Sequence, residues 1–133
     1  MATQPKKKVF LICPVREADE ALKKLLNDYV AKLEVQGYEV HYPTRDTEQD
    51  DPTGGYYVCR TNLTAMMRAN EVHVWYDESS NGSKFDMGGL FMLHVIGFRK
   101  KVVIANEHLI LVDTQKKSFL KVMRHLSQFG GKY

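Results

Sequence analysis

Cysteine is scarce in this chain: its 133 residues include only Cys13 and Cys59. Two thiols make no disulfide framework, and their spacing is not that of a metal site. They are expected to be reduced thiols of a cytoplasmic protein. No apolar run reaches the roughly 18 residues of a membrane span. MATQPKKK followed by VFLICPV, which stops at Arg16, lacks an adequate signal-peptide core. No membrane partner is expected. The common nucleotide and hydrolase signatures are missing as well. CPVREADE follows the first apolar run without GxGxxG, and neither GxxxxGK(S/T) nor GxSxG occurs. There is no internal repeat and no low-complexity segment.

Charge of one sign is only slightly in excess, at net +3. Part of it is Lys6, Lys7 and Lys8, expected to be a solvated flank in a flexible basic tail over 1–8. A nucleic-acid polymer is not the expected partner; an anionic small molecule suits the balance.

What is present is an alternation of apolar runs and helical periodicities. VFLICPV (9–15) reads as a buried parallel strand ended by Pro14. Leu22, Leu25, Leu26, Tyr29, Val30 and Leu33 recur at helical spacing, with Gly37 as a C-cap. YEVHYP (38–43) is a second strand, and the acidic segment 44–55 is a long loop. A helix follows over 56–70, with Leu63, Met66 and Met67 facing in. The strand over 71–78 turns His73 away from Val72 and Val74. The next helix runs from Phe85 to Ile96 with Met87, Leu90, Phe91, His94 and Val95 on one side. Strands at 101–105 and 108–112 and a helix from Ser118 to Gln128 complete the pattern. This predicts a single α/β domain over 1–133, doubly wound in three layers, with a mostly parallel sheet of about five strands. In such sheets ligands bind at the carboxyl ends of the strands. Those ends carry Cys13–Arg16, the 44–55 loop and Asp77–Gly82.

The order VFLICPVR, TNLTAMMRANEVHVWYD, SSNGSKFDMG, GFRKKVVI resembles the nucleoside 2-deoxyribosyltransferase family over residues 9–105. The nearer branch is the 2'-deoxynucleoside 5'-phosphate N-hydrolases. The resemblance implies a flavodoxin-like topology, no metal or organic cofactor, and a homodimer or larger assembly. It implies cleavage or transfer at the N-glycosidic bond of a nucleoside 5'-monophosphate. Asp86 matches the nucleophilic Glu, Asn62 a helical Asp, and Phe10 an aromatic residue, commonly Tyr, at the sugar. Ser80 and Gly82 match the phosphate loop. Cys13, Val15 and Arg16 form the first turn, expected to open the first helix and hold an anion with free N–H groups and the guanidinium. Met87 adjoins the nucleophile.

Three of these positions depart from the family. Asp86 is one methylene shorter than Glu, roughly 1.5 Å of reach, and misplacement of about 1 Å can cost on the order of 100-fold. Asn62 has no acid proton, where general acid–base catalysis is worth about 10²–10⁴-fold. Asp77 or Glu78 could stand in for that acid. Phe10 has no hydroxyl. A catalytically degenerate nucleotide-binding or sensing module is therefore the alternative. From sequence alone, a carboxylate beside a helix start also reads as a cap or dipole partner.

Overall fold

The computed structural model describes residues 5–110 and 117–130. Its chain runs β1 (Lys8–Ile12), α1 (Glu20–Val35), β2 (Glu39–His41), α2 (Pro43–Asp46), α3 (Tyr56–Arg68), β3 (Glu71–Val74), α4 (Asn81–Val95), β4 (Lys101–Ile104) and α5 (Phe119–Phe129). The four strands form one all-parallel sheet in the order β2-β1-β3-β4. Central β1 pairs with β2 through Phe10 opposite His41, and with β3 through Ile12 opposite Val74. That order matches the first four places of the flavodoxin-like arrangement 2-1-3-4-5, whose switch point lies between β1 and β3.

Alternation along β1 explains the three layers. Val9, Leu11 and Cys13 pack with Leu26, Val30 and Leu33 of α1. Phe10 and Ile12 point the other way, into Met66 of α3, Met87 and Leu90 of α4, and Met123 of α5. The middle of β1 is apolar on both sides because both faces are covered, whereas β3 carries buried Glu71 and His73 beside Val72 and Val74. Among the described residues no helix is long and apolar enough to cross a membrane.

Several boundaries differ from the sequence expectation. β1 stops at Ile12 rather than Val15, since Pro14 has no N–H to offer a ladder. The strands expected over 38–43 and 71–78 are trimmed to Glu39–His41 and Glu71–Val74. No strand forms over 108–110. Glu107–Leu109 is instead a 3-10 turn, and 111–112 lie outside the described residues. The local reason is Asn106. Its Oδ1 accepts from Tyr76 N and its Nδ2 donates to Tyr76 O, both at 2.8 Å, so a side-chain amide ends the ladder. The described sheet thus has four strands, not five.

The helices bury narrower stripes than expected. Met66 is buried, but Leu63 and Met67 are exposed. On α4 the buried stripe is Ser83, Met87, Leu90, Leu93 and His94, leaving Phe91 and Val95 outside. On α5, Leu120 takes the inward place expected of Phe119. The 44–55 segment is tied down. Thr47 is buried, and Asp51 accepts from Val58 N at 3.0 Å, satisfying a free donor at the start of α3.

Candidate functional site

The first question is what Asp86 does on its helix. α4 begins at Asn81, four residues before the expected Phe85. Ser80 is its N-cap, accepting from Ser83 N at 3.3 Å and donating to Ser83 Oγ at 2.8 Å. Asp86 therefore sits six positions beyond the cap, about 9 Å along the axis at 1.5 Å per residue. That is past the first turn, where capping and the helix dipole act. Capping does not explain this carboxylate.

Its surroundings disfavour its ionised form. Asp86 is mostly buried, and burial pushes its carboxyl from 3.8 up to about 7, against a hydrogen bond from the Asn62 side chain that lowers it. Asn62 is itself buried on α3. Cys59 stands three residues before Asn62, on the same side of that helix. Burial raises its thiol pKa, and Asp86 raises it further. Cys13, at the carboxyl end of β1, is held up to about 12 by burial and then by Asp86. Both thiols are thus kept from ionising. A thiol that stays protonated is a weak nucleophile.

Close packing of α3 on α4 brings Asn62 and Asp86 together. A Cβ at Gly89 would stand 3.4 Å from Leu63 Cδ1. Gly89 and Leu63 are the neighbours, one turn on and one residue on, of Asp86 and Asn62. A Cβ at Gly89 would rest in ordinary van der Waals contact with Leu63.

The remaining predicted residues divide. Phe10, Cys13 and Met87 belong to the packed core, with Phe10 wholly buried. Its ring stacks on His41, with centroids 5.3 Å apart and planes inclined by 14°. Ser80 is also buried, its hydroxyl proton committed to Ser83. Gly82 and Arg16 are exposed and Val15 is partly exposed. The first turn does not open α1. That helix starts at Glu20, where Asp19 accepts from Leu22 N at 2.8 Å. An acidic cap occupies the N–H group that the turn was expected to offer an anion. Asp77 and Glu78 are engaged locally, with Ser79 and with the Tyr76 hydroxyl.

Two residues near the site escape sequence reasoning. Thr47 Oγ1 donates to Asn62 Oδ1 at 2.7 Å, and His41 Nε2 lies 2.8 Å from Thr47 Oγ1. His41 was legible only as one half of a strand alternation. Thr47 carried no signal, since its buried place depends on how 44–55 folds back. A cavity of about 410 Å³ lies beside edge strand β2, lined by residues including His41, Arg45 and Arg68. Asp86 and Asn62 are not among its walls.

No protein-family model matches this chain, and a search of curated proteins finds no match for it either.

Proposed function

We propose that this protein cleaves the N-glycosidic bond of a nucleoside 5'-monophosphate, with Asp86 as nucleophile. What supports the reading is a mostly buried carboxylate on α4, which burial raises to about 7 against the Asn62 side chain and whose charge acts on Cys13 at the carboxyl end of β1. An Asp86 oxygen attacks C1' of the sugar, and the C1'–N bond breaks with its electron pair leaving on the base, which takes a proton from solvent. Water then attacks C1', the ester bond breaks, the carboxylate is restored and a proton is released. Asn62 cannot protonate the base. Its N–H steadies the ionised form of Asp86 against burial. The exposed backbone at Asn81 and Gly82, at the start of α4, suits the phosphate better than the occupied hydroxyl of Ser80.

Base release from a panel of ribo- and deoxyribonucleoside monophosphates, followed by chromatography, tests the reading. Release is expected to rise with pH through about 7, as Asp86 ionises, and to fall at least 10³-fold in Asp86→Ala. Release that survives in Asp86→Ala would remove Asp86 from the mechanism. The second reading, a nucleotide-binding module without turnover, is favoured by Asn62, which has no proton to give. It predicts no release in either form, with one nucleotide raising the melting temperature.

We also propose that the protein is a homodimer or larger assembly. Phe85 is 67% exposed, Met92 57% and Met67 44%, all on the outer sides of α3 and α4. Apolar residues at this density on adjoining helices suit a contact with a second copy. Sedimentation should show a dimer at micromolar concentration that Met92→Lys shifts towards monomer; a monomeric parent protein would overturn this.

A further inference from the structure

We propose that Thr47 and His41 are positioning residues that hold the Asn62 amide with its N–H towards Asp86. An amide can present either its oxygen or its nitrogen to a neighbour, and only the nitrogen stabilises a carboxylate. The choice is made by what occupies the other end. Thr47 Oγ1 lies 2.7 Å from Asn62 Oδ1 and donates to it. Thr47 has one hydroxyl proton, so its oxygen must accept from His41 Nε2, 2.8 Å away. His41 is in turn held by its stack on Phe10, the residue opposite it in the sheet register.

The hydrogen bonds run one way, from His41 on β2 to Thr47 of the 44–55 segment to Asn62 on α3, which leaves the amide nitrogen as the end that acts on Asp86 of α4. Thr47 and Asn62 are both buried, so water does not readily replace a missing partner. Burial keeps His41 below its ordinary pKa, which suits a neutral ring with its proton on Nε2. Asp46 and Arg45 act on His41 in opposite senses. Cys13 and Cys59 are the other titratable groups on which Asp86 acts. The catalytic meaning of the chain rests on the glycosidase reading; the orientation of the amide does not.

The experiment follows the Asp86 carboxyl by carbon-13 NMR titration of the full chain, with base release measured in parallel. Thr47→Val keeps the shape and removes the hydroxyl. It frees the amide to turn, so the Asp86 midpoint is expected to rise by about 0.5–1 pH unit, the worth of one modest hydrogen bond. Thr47→Ser is expected to restore the parent midpoint. Asn62→Leu sets the scale by removing the amide altogether. An unmoved midpoint in Thr47→Val, with a raised one in Asn62→Leu, overturns the proposal. Should Thr47→Val fail to fold, His41→Phe keeps the ring stack and removes the donor. A rise there supports the chain and no rise overturns it. If no base is released by any form, the titration still decides the orientation, and only the glycosidase reading fails.

Discussion

Asp86→Asn is expected to stabilise the protein at pH 8 and to leave its stability at pH 4 almost unchanged. Burial raises the carboxyl from 3.8 to about 7 in the folded state. The unfolded chain loses this proton near pH 4, the folded chain only near pH 7. Between those values the unfolded state holds fewer protons, so stability falls as pH rises and stays low above 7. A shift of about three units corresponds to about 4 kcal/mol. Asp86 is not wholly buried, and solvent screening brings the expected gain to roughly 2–4 kcal/mol. Asparagine keeps the volume and cannot ionise. Urea unfolding of both forms at the two pH values checks this. Equal stability at pH 8 would mean that the carboxylate is well solvated where it stands. A gain at pH 8 joined to loss of base release would be the usual exchange of stability for activity at a working site.

His73→Leu is expected to cost about 2–4 kcal/mol, the largest loss anticipated from a single change outside the candidate site. His73 faces α1 from the middle of β3, opposite Leu11 in the register. Tyr29 Oη donates to its Nδ1 at 2.5 Å, and its Nε2–H donates to Glu71 Oε1 at 3.0 Å. This arrangement needs a neutral ring, and burial lowers the His73 pKa accordingly. Burial, and then Glu71, push the Tyr29 phenol up to about 12, so it stays a donor. Glu71 is buried as deeply as His73. Leucine would fill the space and leave a buried carboxyl and a phenol without partners, which costs more than the hydrogen bonds contribute. Tyr29→Phe removes only one end and is expected to cost about 1 kcal/mol. Denaturant midpoints for the two variants test the ranking. A loss below about 1 kcal/mol in His73→Leu would show that water reaches Glu71.

The layered parallel sheet was legible because short β-rich segments, apolar above all in β1 and β4, alternate with long helices that carry a repeating apolar stripe. The turning of His73 away from Val72 and Val74 was legible from alternation alone. The start of α4 was not. Asn81, Gly82 and Ser83 are weak helix formers that read as a turn, and only the Ser80 cap makes them the first turn of a helix. That shift of four residues changed the reading of Asp86, since a carboxylate in the second turn has no capping to do. Asn106 was illegible for a related reason, because nothing local shows that its amide will replace a strand partner. The chain of hydrogen bonds behind Asp86 draws its residues from four separate segments, and no spacing rule connects 41, 47, 62 and 86.

The place of β1 in the middle of the sheet governs the order in which the molecule can assemble. β1 emerges first during synthesis, but its early partner β2 is only three residues long. Its other partner is β3, with Val9 opposite Glu71, so closing that pair requires a long loop. Until β3 has left the ribosome, one edge of an apolar strand has nothing of its own to pair with. The hazard of pairing with another chain is concentrated in that interval.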